Sequence, residues 1–363
     1  YYRTELSSDL KISKTKPKLR ILHITNFNVR HNGRLFYNTG RRINNGFLKL
    51  GHTVQTLSDR DTISQERKIT DMYGSKSLNN KLMEIVGNYN PDLIVLGHAD
   101  QISNLTLLKI KNFYPKIRIC QWFLDRMDDD KWSNNKKRFL KKKDIVDGNF
   151  CTTHPSTLKS LNSNNVYFIP NPVDETFENL KIYKNKFAKF DLFFALSHGV
   201  HRGTLKKGKT DEREFFIKKL IKNNNEIKYK IFGLDKTQPI WGEEFKKVLF
   251  NSKMALNLSQ GKPLKFYSSD RLSQLVGNGI LTFVDINTKL NKLFTSSDIV
   301  FYKNIKDLSN KIRKYKNDDR LRNKIAKNGM IKYHKHMNSQ NVASFIIDKT
   351  LNIKKRKYFW ENK

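Results

Sequence analysis

Residues Leu19–Asp59 read LRILHITNFNVRHNGRLFYNTGRRINNGFLKLGHTVQTLSD, and the fold class follows from this stretch. LRILHIT is an apolar run with β-branched members, preceded by Pro17 and ended by Asn26, the pattern of a short buried strand. The polar loop NFNVRHNGR leads into a helical stretch from Phe36 to Leu50, and Gly51 stands where a helix commonly ends in the left-handed conformation. GHTVQTLSD then reads as a second strand. Strand, helix and strand in this order form the βαβ unit that opens a doubly wound parallel sheet.

The alternation continues outward. A helix over Leu78–Tyr89 precedes the strand in PDLIVLGHAD, and a helix over Ile102–Phe113 precedes the one in KIRICQWFLD. GNFCTTH and NVYFIPNPVD supply two more short strands. The polar, basic segment ETFENLKIYKNKFAKF separates this series from a second one. There, the strands FDLFFALS, KYKIFG, MALNLS, GILTFVD and DIVFYKN are interleaved with helices, including Lys246–Ser252, Asp270–Val276 and Ile305–Tyr315. Helical segments run from Arg320 to about Leu351. Strands alternating with helices of this length predict an α/β chain with two Rossmann-like, doubly wound parallel-sheet domains facing a central cleft. The boundaries expected are a polar lead-in at 1–17, an N-terminal domain at 18–178, a C-terminal domain at 185–335 and a helical, basic tail at 336–363.

Bulk properties narrow the function. The chain has 363 residues, too many for one ordinary core, and 37% hydrophobic residues, enough to build two. Its opening is polar and lacks the apolar run of a secretory signal, and no stretch reaches the length of a membrane span. Cys120 and Cys151, both in apolar contexts, suggest buried reduced thiols in a cytoplasmic protein, with a disulfide or redox pair between them as the lesser alternative. No metal-binding spacing of Cys or His is present. The net charge of +36 has two readings: nucleic-acid binding, or basic residues scattered over solvated faces. The runs KKRFLKKK, GTLKKGK and KKRKYF are short and dispersed, and no nucleic-acid-binding signature accompanies them, so no specific nucleic acid is expected. Such a charge favours phosphate-bearing ligands and peripheral contact with anionic membranes.

Ligands of open α/β sheets bind beyond the carboxyl ends of the strands, so the residues there are the candidates. After the first strand lie Asn26, Arg30, Gly33 and Arg34, placed to receive an anion or a sugar hydroxyl, or simply a plain loop. His98 and Asp125 each follow a strand where a general base would stand. Asp125 also leads an acidic cluster with Asp128, Asp129 and Asp130, which could bind a divalent cation or only cap the helix starting near Lys131. In the second half, Ser197, His198, Gly199 and Arg202 of SHGVHRG suit a pyrophosphate, since glycine permits close approach and arginine offers a bidentate fork. Gly233 stands where a flat nucleobase could approach. In MALNLSQGKPLKFYSSDRLSQLVGNGILTF, Asn257 and Ser259 end a strand and Lys265 and Tyr267 follow in the loop. Ser268 or Ser269 is the expected helix cap, with Asp270 and the cationic Arg271 in the first turn.

The order of ALNLS, SSDRLSQLVGNG, GILTF, IVFYKNIKDLSNKI and NKIAKNGMIKYHKHMN resembles group 1 glycosyltransferases of GT-B fold, especially the CgeB-like, spore-maturation-type branch. FIPNPVD is similar to the segment that ends the first domain in such enzymes. The resemblance implies a nucleotide-diphosphate sugar held by the C-terminal domain, a glycan, lipid-linked or protein acceptor at the N-terminal one, and no metal or other cofactor. Cell-surface glycan synthesis is the setting it suggests. Gln274 stands where retaining members carry a helix glutamate that meets the donor ribose, a departure that leaves retention or inversion open. By analogy Arg271, Ser269 and the SHGVHRG loop become diphosphate contacts, assisted by Lys265 or Lys206. An inverting route would use Asp125 or His98 as base; in a retaining route the leaving phosphate takes that role.

Overall fold

The computed structural model describes residues 18–196, 212–234, 237–353 and 356–361, with the backbone alone of 200–201 and 204–205. In the first half, strands β1 (Arg20–Thr25), β2 (Thr53–Leu57), β3 (Leu93–Gly97), β4 (Arg118–Phe123), β5 (Gly148–Cys151) and β6 (Val166–Phe168) form one sheet. Its order is β2-β1-β3-β4-β5-β6, and every pairing is parallel. Helices α1 (Thr39–Lys49), α2 (Asp59–Gln65), α3 (Ser75–Tyr89), α4 (Asn104–Phe113) and α5 (Ser133–Lys143) connect them. In the second half, β7 (Phe190–Ala195), β10 (Tyr229–Phe232), β11 (Ser252–Asn257), β12 (Leu281–Asp285) and β13 (Val300–Tyr302) form a parallel sheet ordered β10-β7-β11-β12-β13. Between β7 and β10 lies a two-stranded hairpin of β8 (Val200–His201) and β9 (Thr204–Leu205). Helices α6 (Glu212–Lys222), α7 (Gly242–Phe250), α8 (Arg271–Gly277), α9 (Ile305–Asn317), α10 (Asp319–His336) and α11 (Ser339–Thr350) complete the fold.

The strands form where the sequence concentrates apolar residues that both faces of a parallel sheet can bury. All five residues of β3 are buried, and so are five of the six in β4. On one face of the first sheet Leu22, Leu82, Ile94 and Ile110 build a core with α3 and α4. On the other face, a core with Ile43 and Phe47 of α1 continues through Val173 and Phe266 into Val276, Val284 and Tyr333 of the second half. The two halves therefore share apolar packing.

Two chain crossings fix this arrangement. Val173 and Asn338 form a parallel bridge, with Val173 N donating to Met337 O and Ser339 N donating to Val173 O. α11 then packs on α1, where the helices meet at Gly46; a Cβ there would come within 2.2 Å of Ser339 O. Beyond α11, Tyr358 and Trp360 are buried against Phe345, and the Tyr358 hydroxyl donates to Asp348 at 2.6 Å.

Several boundaries differ from the sequence reading. The helix expected at Lys246–Ser252 is α7, Gly242–Phe250, because Ser252 already begins β11. Asp270, not a serine, is the N-cap residue of α8, and it makes no side-chain capping bond. Helix α2 was not anticipated: DRDTISQ carries no apolar periodicity, and its buried residues are Asp59, Asp61 and Thr62.

Candidate functional site

The carboxyl ends of the two sheets face each other across a cavity of about 260 Å³. From the first half, the loop after β1 and the start of α1 contribute Asn28, Arg34, Tyr37, Asn38 and Arg42. Phe177 and Glu178 of the connecting segment close the back. The second half contributes Ala195 and Leu196 after β7, Pro239, Ile240, Trp241, Gly242, Phe245 and Lys246 around the start of α7, and Asp270, Arg271 and Gln274 at the start of α8. One part of this wall is apolar and aromatic, with Leu196, Ile240, Trp241 and Phe245; the other is ionic and amide-rich.

Arg42 anchors the polar part. Its guanidinium is fully buried and grips Glu178, with Nη2 at 2.6 Å from Oε1 and Nε at 3.1 Å from Oε2. Burial disfavours the Arg42 charge, yet Glu178 overcomes that effect and holds its pKa above the ordinary value. The remaining Nη1 is buried without a hydrogen-bond partner among the described residues. A charged donor in that condition is costly unless something in the cavity accepts from it. Sequence reasoning passed over Arg42 and Glu178. The available signal was a cation on the buried stripe of Thr39, Ile43 and Gly46.

Four of the residues singled out from sequence converge here: Arg34, Asp270, Arg271 and Gln274. Gln274 Nε2 donates to Asp270 Oδ2 at 3.0 Å, so the amide oxygen and the second carboxylate oxygen remain for a ligand. Arg271 Nη1 donates to Leu258 O at 3.0 Å and its guanidinium lies over the Phe194 ring. Burial, and next the charge of Arg213, push the Arg271 pKa down to about 10, which still leaves it cationic at neutral pH. Arg34 reaches across the cleft to stack on Trp241, 4.3 Å from the ring centroid.

The other expected residues serve elsewhere. Arg30 Nη1 bonds to Asp61 at 2.6 Å and to Asn26 Oδ1 at 3.1 Å, so Asn26 and Arg30 brace the loop rather than line the cavity. Gly33 takes φ +82° in open space. Gly233 takes φ +76°, and a Cβ there would meet Leu196 O at 1.9 Å, so this glycine accommodates a backbone rather than bordering the cavity. Asn257, Ser259, Lys265, Tyr267 and Ser269 lie outside the wall, though buried Asn257 Oδ1 and Ser269 Oγ have no partner among the described residues. Ser197, His198, Gly199, Arg202 and Lys206 lie outside the described residues.

His98 and Asp125 also stand away from the cavity wall. His98 Nε2 accepts from Leu124 N at 2.8 Å, which puts the proton of the neutral ring on Nδ1, 3.6 Å from Asp125 Oδ2. Arg138 bridges Asp125 at 3.3 Å and Asp100 at 2.5 Å. Burial lowers the His98 pKa against the pull of Asp125. The acidic cluster is divided among separate tasks: Asp129 pairs with Lys136, while Asp128 accepts from Trp132 N at 2.7 Å and Asp130 N at 3.0 Å. Among the described residues no group of three or more His, Cys, Asp or Glu is arranged to hold a metal ion. Cys120 and Cys151 are buried free thiols.

Two parallel α/β sheets joined by a double crossing, with a ligand-sized cavity between their carboxyl ends, define the GT-B class of fold. Solved structures agree. AviGT4, a glycosyltransferase involved in avilamycin A biosynthesis, is similar over 92% of this chain and 98% of its own, with a TM-score of 0.57 at 11% identity. HepE from Anabaena, solved in complex with UDP and glucose, is similar over 92% of this chain and 100% of its own, at 0.55 and 12%. Sucrose-phosphate synthase from Thermosynechococcus elongatus is similar over 93% and 99%, at 0.54 and 10%. Within the chain, residues 210–348 match the model of a family described as glycosyl transferase-like. A sequence search of curated proteins found no match.

Proposed function

We propose that this chain is a glycosyltransferase that moves a sugar from a nucleotide-diphosphate donor to a hydroxyl acceptor. One observation carries the reading: the cavity between the sheets is lined by Arg42, whose buried Nη1 has no partner among the described residues, together with Arg271, Asp270 and Gln274. The glycosyl transferase-like match over the second half and the nucleotide complex of HepE support it.

In this reading the aromatic part of the wall, with Trp241 and Phe245, receives the flat base. Asp270 and Gln274 receive sugar or ribose hydroxyls, and Arg42 Nη1 donates to a donor oxygen. Breaking the anomeric carbon–oxygen bond leaves added negative charge on the nucleoside diphosphate. Arg271 is assigned to stabilise it, a preorganised cation in a dry setting. We assign this role to side chains rather than to a metal or other cofactor. His98 and Asp125 become positioning residues for the loops after β3 and β4, and the leaving phosphate takes the acceptor proton. The finer assignments we propose are a hexosyltransferase of the CgeB-like branch of group 1, acting in the cytoplasm on a cell-surface glycan precursor. A second reading, a GT-B protein that binds nucleotide-sugars without turnover, is favoured by Gln274 standing in place of the glutamate of retaining relatives.

The first test is thermal stability with UDP, GDP, ADP, CMP and dTDP, each with magnesium and with a chelator. A ligand at a hundredfold its dissociation constant adds about 2.7 kcal/mol, a shift of several degrees. One diphosphate raising the midpoint equally in chelator is expected. A folded sample indifferent to all five would overturn the proposal, and binding without turnover of the matching nucleotide-sugar would select the second reading.

A further inference from the structure

Two exposed apolar segments of the first half take no part in the cleft. In the turn between α2 and α3, Ile69 is 97% exposed, Met72 68% and Tyr73 78%. This turn is defined by reciprocal backbone bonds between Lys68 and Asp71, and the Asp71 carboxylate accepts from Ser77 N at 2.8 Å. On α4, Leu105, Leu108 and Phe113 are exposed while Thr106, Leu107 and Ile110 face the core. Asn79 at the start of α3 joins the two segments: its Nδ2 donates to Gln101 O at 3.0 Å, and its Oδ1 accepts from Ser103 N at 2.9 Å. Asn104 Nδ2 in turn donates to Lys141 O of α5 at 2.8 Å.

The surroundings are basic. Arg67, Lys68, Lys76 and Lys109 are exposed in these segments, and Lys137 and Lys141 are exposed on α5, which Asn104 ties to the start of α4. Of the nearby carboxylates, Asp71 is engaged by Ser77, Glu66 by Lys81 and Asp100 by Arg138, which leaves Glu84 of α3 as an exposed acid among these cations. No acidic residue occurs between Gln101 and Leu124. Large aliphatic side chains held out from a cationic surface are unfavourable in water, and an anionic bilayer complements both features. A single-stranded nucleic acid would stack its bases on aromatic side chains, and of the six exposed apolar side chains of this face Tyr73 and Phe113 are aromatic. Ile69, Met72, Leu105 and Leu108 are aliphatic and suit the acyl boundary of a bilayer better than a base.

We propose that this face, formed by the α2–α3 turn and the outer side of α4 with the lysines beside them, docks the chain on an anionic lipid bilayer. Helices α3 and α4 begin at the carboxyl end of the first sheet, the end whose β1–α1 loop lines the cavity, so the bilayer meets the molecule on the acceptor side of the cleft. Taken with the transferase reading, on which this last step rests, the acceptor is a lipid-carried hydroxyl compound.

The test is sedimentation of the full chain with phosphatidylcholine vesicles, with and without phosphatidylglycerol. The chain is expected to partition onto the anionic vesicles only, and less at high salt. The double substitution Ile69→Glu with Met72→Glu is expected to weaken partition at least about tenfold while leaving the circular dichroism spectrum unchanged. Absence of wild-type partition, or equal partition of the variant, would sink the docking surface. Retention on single-stranded DNA weakened equally by the same substitutions would reassign the face to nucleic acid. Nucleotide-induced stabilisation, measured separately, tells this failure from failure of the transferase reading: either result can be negative while the other holds.

Discussion

Arg42 and Glu178 set the energetics of the cavity floor. With Glu178 removed, a cation with 0% relative exposure is left without its counter-charge. Breaking one side of such a pair typically costs about 3–5 kcal/mol, whereas replacing both partners by apolar groups is often near neutral. Glu178→Gln should therefore lower the thermal midpoint by several degrees. Arg42→Met combined with Glu178→Leu should recover most of that loss and still fail to bind the nucleotide that stabilises the wild type. Recovery of stability together with nucleotide binding would remove Arg42 from the site. Arg271 should behave differently, because its bond to Leu258 O is one contact of a side chain that also borders the cavity. Arg271→Ala is expected to retain the fold and to lose about 10²–10³ in turnover, with a smaller loss in donor affinity. Single-turnover kinetics and equilibrium binding, read side by side, separate the two losses.

Helix α2 shows how one element controls the site from outside it. Its Asp61 accepts from Val29 N at 2.8 Å and Arg30 N at 3.2 Å, and pairs with Arg30, so it holds the loop that presents Asn28 to the cavity. Burial works against the charge, but the Ser58 hydroxyl and the Val29 and Arg30 groups keep the Asp61 carboxyl below its usual range. Asp61→Ala should weaken nucleotide binding several-fold by loosening the loop, a change that calorimetry would detect. Asp59, on the same helix, is pushed by burial from 3.8 up to about 6. The folded chain therefore binds its proton more tightly than the unfolded chain, and stability from this group falls as pH rises through that window. Asp59→Asn should exceed the wild type by up to about 3 kcal/mol at neutral pH, with the advantage gone near pH 4. The strands around α2 were legible because runs such as LIVLG have no partner but a doubly covered sheet. α2 was not, since its seven residues are held by buried carboxylates rather than by an apolar stripe. The same limit hid half of the site. Arg271 could be found from its place after a strand and Gln274 from the family resemblance, whereas Arg42, Tyr37 and Trp241 reach the cavity only through the way the two halves meet.

At the scale of the molecule, the halves are joined at the back by apolar packing and at the mouth by polar clamps. The back is the shared core running through Val173, Phe266 and Val276. On one flank of the mouth Arg126 Nη1 donates to Gln260 O at 3.1 Å and Lys262 O at 2.6 Å. There a Cβ on Gly261 would come within 2.6 Å of the Trp132 ring. Arg34 over Trp241 holds the other flank. Hydrogen bonds from the buried Arg126 guanidinium and the cation–π contacts between the halves are each worth about 1–3 kcal/mol, less than the apolar packing behind them. Removing them should open the mouth without separating the halves. Arg34→Ala combined with Arg126→Ala is therefore expected to enlarge the radius of gyration in small-angle scattering and to speed amide exchange at residues 260–262. A saturating nucleotide should reverse both changes, because a ligand held by Arg42 on one side and Arg271 on the other replaces the lost clamps. An unchanged radius in the double variant would mean that the shared core alone sets the closure. The two arginines would then be free to act on the ligand rather than on the cleft.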